Sequence, residues 1–278
     1  MRAPTAQAAA RVGVTRGIWL ALVLAFTILP LAIIAVTSFS TVSYGVWPPP
    51  GYSTRWYTNL FTQTGLGGAA LLSLQVALLT TVACTLLALA SAVALTRHTF
   101  LGRRLVEGMS FAPIVVPKAA LGFALFIYFN RLGLFEIGVL GLTAAHVVIT
   151  LPFASTLLTA ALVRTDRQVE EAALDLGAAP IRAFATVTLP QLRPALIASA
   201  LFVFILSFDE VDSTVFLLPT GRQTLPVWMY EYMQKYQDPT LAALSTLLIA
   251  ASLLLAAAAA LILTRSGLIA TLLRRTTR

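Results

Sequence analysis

An all-α integral membrane protein with six spanning helices is predicted by three observations. Of the 278 residues, 58% are hydrophobic and only 11% charged, which excludes an ordinary water-soluble globular domain. The apolar residues gather in runs near the ~20 residues that a helix needs to cross a bilayer. The arginines fall at the flanks of those runs, on alternate connections.

In chain order, Gly17 to Phe39 is the first span, preceded by a short basic segment, residues 1–16. Its apolar run exceeds the ~7 to 15 residues of a secretory signal, so an uncleaved helix is expected. Pro48-Pro49-Pro50-Gly51 forbids regular helix in the next connection, and Trp56, Tyr57 and Phe61 after it suit an interfacial aromatic belt. Gly68 to Thr96 is the second span and carries the lone cysteine, Cys84, which has no intrachain disulfide partner. Gly108 to Asn130 is the third, interrupted by Lys118, and a short turn at 131–138 leads to the fourth, Ile137 to Val163. The fifth, Pro194 to Leu218, contains Asp209, Glu210 and Asp212, and Pro239 to Thr264 is the sixth, before a basic tail, residues 265–278. Residues 17–264 read as one six-span domain. Pro30, Pro113, Pro117 and Pro152 lie within spans, where each removes a backbone donor and favours a kink.

An even number of spans puts both termini on one side. That side collects Arg2, Arg11, Arg16, Arg97, Arg103, Arg104, Arg164, Arg167, Arg182, Arg193, Arg265, Arg274, Arg275 and Arg278, against Arg55, Arg131, Arg222 and Lys235 opposite. The positive-inside rule then makes both termini cytoplasmic. The formal charge of +8 is a topology signal, since the arginines line membrane flanks and form no single soluble face for nucleic acid.

The connection from Arg164 to Arg193 is polar, and it is placed in the cytoplasm. Thr165 or Asp166 can cap a helix from Arg167 to Leu176, with Glu170 and Glu171 in its early turns and Gly177 for the left-handed exit. Pro180 suits the first turn of a second helix that presents Ile181, Phe184 and Val187 before Pro190 stops it. The product is a two-helix hairpin with small alanines and a modest apolar ridge, suited to a soluble partner's groove or, alternatively, to the lipid headgroups.

Burying a carboxylate in a bilayer costs about 2.5 to 3.5 kcal/mol, so the acids of the fifth span need a reason. If the helix runs on through them, Asp209 lies about 22 Å along it. Asp209 and Asp212 then share a face with Phe202, Ile205 and Phe216, and Glu210 points away. Two roles fit. Acids beside aromatics suit passage of a cationic amine, and Lys118 can neutralise one acid in a structural ion pair. His146 is expected to be a packed, hydrogen-bonded residue, and no metal cluster or nucleophile and base set is legible.

The spacing Glu171-Ala172-Ala173-x3-Gly177-x9-Val187-x-Leu189-Pro190 resembles the EAA loop of permease subunits of binding-protein-dependent bacterial ABC importers, with valine where isoleucine is usual. The resemblance implies that Glu171, Ala172, Ala173, Gly177, Ile181, Phe184, Val187, Leu189 and Pro190 couple the chain to a separate ATPase. It further implies an inner-membrane assembly with a second, different permease, two ATPase subunits and a periplasmic binding protein. The chain has no Gly-x4-Gly-Lys-Ser/Thr loop, so ATP and Mg are expected on the partner ATPase and no cofactor or catalytic residue on this chain. Ser207-Phe208-Asp209-Glu210, Thr224-Leu225-Pro226 and Asp238-Pro239-Thr240 are similar to the spermidine/putrescine branch, with opine and aminophosphonate importers as relatives. The acids and aromatics of the fifth span, with Lys118, are the expected pathway residues: Asp209, Glu210, Asp212, Phe202, Phe216 and Lys118. An ion-gradient-driven transporter or channel, with Asp209, Asp212 and Lys118 as its relay, is the alternative.

Overall fold

A computed structural model describes residues 6–43, 45–133, 138–218 and 220–265. The described residues are helical with no strand, and they divide into two compact units, Met1–Thr64 with Tyr232–Arg278, and Gly65–Glu231. Four helical segments are long and apolar enough to cross a bilayer, Arg16–Thr37, Leu66–Arg97, Val139–Val163 and Pro180–Phe208. Beyond Arg265 the basic tail lies outside the described residues, as do Met1 to Thr5 of the leading segment and part of the turn expected at 131–138.

In the first unit, α1 (Ala6–Thr37) and α2 (Arg55–Thr62) pack on α12 (Thr240–Arg265). Trp56 is buried and its indole N–H donates to the Ser40 carbonyl at 2.6 Å, so it anchors the loop before α2 instead of joining the expected aromatic belt. Phe61, by contrast, is exposed. Asn59 of α2 donates to the Thr240 hydroxyl at 2.8 Å, which ties α2 to the start of α12. Tyr232, on α11 (Leu225–Lys235), donates to both carboxylate oxygens of Asp238, and burial first of all raises its pKa, which keeps the phenol protonated as a donor.

The second unit is built on α3 (Leu66–Arg97), α6 (Val139–Val163) and α9 (Leu189–Phe208). One apolar cluster joins Cys84, Ala88 and Ala92 of α3 to Ala154, Leu158 and Leu162 of α6 and to Leu192 and Val203 of α9. A second joins Leu72 and Val76 to Leu142 and Ala145. Low numbers therefore meet low numbers, and α3 and α6 run in the same direction. Alanines four residues apart on α3 permit that close approach, which lipid-soluble helices need because burial of apolar area alone does not drive them together. Buried hydroxyls bond back to their own helices, as Thr150 does to the His146 carbonyl at 2.8 Å.

Between these parallel helices the chain must return once. It does so through α4 (Arg103–Val115) and α5 (Lys118–Arg131), which meet at 115° across extended Val116 and Pro117. The third span predicted as one helix is thus broken, because Pro117 has no N–H and pushes Val116 out of the helical region.

The fifth span departs from expectation at both ends. Pro190 does not stop the hairpin's second helix. Helix α8 (Pro180–Ala183) passes through a π turn, Phe184–Thr188, straight into α9, and Leu189 donates to the Phe184 carbonyl. The wider turn makes room for the Pro190 ring, which an ordinary α turn would drive into a carbonyl. At the other end α9 stops at Phe208, and helix resumes only in α10 (Thr214–Leu217). Asp209, Glu210 and Asp212 therefore stand on an irregular segment, and the shared helical face expected for Asp209 and Asp212 does not exist.

Candidate functional site: a docking hairpin and a broken helix

The hairpin forms from strictly local chemistry. Asp166 accepts from the Gln168 N–H at 3.0 Å and caps α7 (Arg167–Asp175). Gly177 sits at φ 88°, and the Gly177 and Ala178 N–H groups close back on the Leu174 and Ala173 carbonyls. Pro180 then opens α8 at the position where its missing donor costs nothing. Glu171, Ala172, Gly177 and Ile181 are exposed, Ile181 at 84%, while Ala173, Phe184, Val187, Leu189 and Pro190 are half-buried. Glu171 makes only an exposed ion pair with Arg167 at 2.8 Å.

Its neighbour Glu170 behaves differently. One carboxylate oxygen accepts from the Arg97 guanidinium at 2.9 Å and from the Thr188 hydroxyl at 2.6 Å. Arg97 is the last residue of α3, and Thr188 closes the π turn ahead of α9. The sequence marks Arg97 only as a flanking charge and places Thr188 in the hairpin's second helix with no contact assigned to it. The only local signal is a pair of consecutive acids about 100° apart on a short amphipathic helix, which point in different directions without showing which one meets a partner. A groove of about 430 Å³ beside this contact is lined by Val93, Arg97, Leu174, Pro180, Ile181 and Phe184 among others. It lies at the end of the unit where α3 and α6 finish and α9 begins.

The broken helix forms a second polar centre. Glu210 is 3% exposed, and Lys118 at the start of α5 reaches it at 2.8 Å. The other carboxylate oxygen accepts from the Ser213 N–H at 3.1 Å, and the Ser213 hydroxyl donates to the Lys118 carbonyl at 2.8 Å. Gly122 permits this contact, since a Cβ there would stand 2.6 Å from the Ser213 Cα. From α6, His146 bonds Ser207 at 2.8 Å and Thr214 at 3.0 Å, so one buried ring spans the gap between α9 and α10. The expected packed histidine is thus also a clamp. Asp209 and Asp212 flank the centre and are exposed. Phe202 packs edge-on against Phe153 of α6, whereas Phe216 packs against Phe123 of α5, so these two aromatics serve different neighbours. Of the two roles open for the acids, the ion pair is taken by Glu210.

These features define an α-helical protein with several helices long and apolar enough to cross a membrane and a polar hairpin fastened to them. Two solved structures share the fold. The crystal structure of a bacterial ABC transporter that imports the acidic polysaccharide alginate matches with a TM-score of 0.67 at 14% identity, covering 94% of this chain and 99% of that one. The crystal structure of an amino acid ABC transporter with histidines matches with a TM-score of 0.54 at 16% identity, covering 75% and 95%. The chain belongs to the family described as binding-protein-dependent transport system inner membrane component, whose model matches residues 84–278. The putrescine transport system permease protein PotI of Escherichia coli K12 is 33% identical over 237 residues, 82% of this chain and 84% of that protein. The spermidine/putrescine transport system permease protein PotC of the same strain is 32% identical over 235 residues, 84% and 88%. The chain is accordingly a permease subunit of an ABC importer, a transporter component.

Proposed function

We propose that this chain is one of two different permease subunits of an inner-membrane importer for a small cationic amine such as a polyamine. Two ATPase subunits, which themselves bind ATP and Mg, dock at the hairpin, and a periplasmic binding protein delivers solute at the opposite end. The chain crosses the membrane six times, counting α4 with α5 as one broken span and α12 as the last, with both termini and the hairpin cytoplasmic. Arg97, Arg103, Arg104, Arg164 and Arg193 beside the hairpin support that orientation.

The observation that carries the reading is the hairpin, which offers Glu171, Ala172, Gly177 and Ile181 outward while Glu170 holds it to α3 and α9. ATP-driven closure of the ATPase pair would displace such a hairpin and rock the helices, giving alternating access. The amine reading rests on the acids and on the two putrescine permeases to which the chain is similar. Lys118 neutralises Glu210, and Asp209 and Asp212 leave net negative charge on an exposed segment beside it. Such a segment attracts an ammonium group and repels sulfate or phosphate.

The test is uptake of radiolabelled putrescine into vesicles that hold the complete complex and its binding protein. The expected result is uptake that requires internal ATP and falls about tenfold in Asp209→Asn with assembly intact. Uptake driven by a proton gradient without ATP overturns the importer mechanism. A binding protein that retains an opine or an aminophosphonate and not putrescine overturns the amine assignment alone.

A further inference from the structure

We propose that Glu170, and not the exposed Glu171 beside it, transmits movement of the hairpin to the spanning helices, an inference that rests on the importer reading above. A transmitting residue must be joined to both moving parts and must resist being pulled free. Glu170 meets both conditions, because a single carboxylate oxygen bonds the end of α3 through Arg97 and the entry to α9 through Thr188. The Arg97 and Glu170 side chains are only 16% and 18% exposed, and Thr188 is 1% exposed, so water competes weakly for these bonds. Arg97 also reaches the Thr165 hydroxyl at 3.5 Å, which extends the contact to the residue just ahead of the cap of α7.

The recipients suit the role. Helix α3 packs on both α6 and α9, so a displacement delivered to its last residue reaches the whole core of this unit. Thr188 ends a π turn, a place where a helix can change its winding without breaking its ladder. Glu171 has neither link. Its pair with Arg167 lies on one helix with both side chains more than half exposed, and it carries no force to any other element.

The experiment measures ATP hydrolysis and putrescine uptake in the same proteoliposomes, with the complete complex and its binding protein. In Glu170→Gln the ATPase subunits are expected to stay bound while uptake per ATP hydrolysed falls about tenfold. Glu171→Gln is expected to do the reverse, weakening retention of the ATPase subunits while complexes that remain assembled keep their uptake per ATP. Thr188→Val, which removes one bond and leaves the ion pair, is expected to give an intermediate loss. The swap Arg97→Glu with Glu170→Arg restores part of it, which a residue that merely fills space would not do. Should Glu170→Gln fold poorly, Thr188→Val and the swap still decide. Parallel loss of hydrolysis and uptake together with the ATPase subunits in both single variants, or unchanged uptake per ATP in both, overturns the proposal. A wild-type complex that takes up putrescine without ATP overturns the importer reading instead, so the two failures are distinct.

Discussion

Glu170 and Glu210 occupy similar centres in different surroundings. Each is a carboxylate that holds a cation from another helix together with a second donor, and each stands next to an exposed acid. At the hairpin both members of the ion pair are shielded, whereas at the helix break the carboxylate is buried and Lys118 is 48% exposed. The difference teaches that neighbouring acids divide the work. The inward acid fixes the backbone, and its neighbours, Glu171 in one case and Asp209 and Asp212 in the other, stay exposed at the surface of the chain.

The largest expected effect is at the break. Lys118→Met leaves a buried carboxylate with only the Ser213 N–H, and a loss of about 2 to 4 kcal/mol is expected, reduced from the fully buried case because the lysine is half in solvent. Thermal unfolding of the purified complex checks it, and an unshifted midpoint would remove Glu210 from the comparison. A second substitution, Glu210→Leu on top of Lys118→Met, is expected to recover much of the loss, since no charge is then stranded. Gly122→Ala drives a methyl into the Ser213 backbone and is expected to cost about 1 to 3 kcal/mol, read from the same midpoint. At the hairpin, Gly177→Ala forces an L-residue into the left-handed region, with about 1 to 2 kcal/mol expected from helix-hairpin protection against proteolysis. Thr188→Val should cost about 1 kcal/mol of stability, for one hydrogen bond. The smallest effect is Glu171→Gln, within about 0.5 kcal/mol in stability, and a larger loss there would mean that the exposed acid also holds the fold.

The hairpin was legible in the sequence because each of its determinants acts within a few residues. Asp166, Gly177 and Pro180 cap, turn and restart the helix by backbone chemistry alone, so α7 and α8 begin where expected. The division between Glu170 and Glu171 was not legible, since the inward face is chosen by Arg97, which lies far along the chain on α3. The end of α9 at Phe208 was hidden for the same reason. Apolar residues resume at Val215 beyond the acids, so one span reads through them, and the break is stabilised by Lys118, His146 and Gly122, which come from α5 and α6. Pro190 misled in the opposite sense, because a proline read as a stop is accommodated by a turn wound more loosely. Trp56 was read as interfacial from its neighbours, whereas the Ser40 carbonyl that captures its indole lies on the preceding loop.

The π turn at Phe184–Thr188 sets an angular phase. Were it to tighten into ordinary helix without losing a residue, everything before it would rotate by about 100° relative to α9. Ile181 and Phe184 would then point along a new bearing, while Ser207 at the far end would still be gripped by His146. The face that the hairpin shows to the water is thus selected by a single residue's worth of winding, and the ring of Pro190 holds that dial in place.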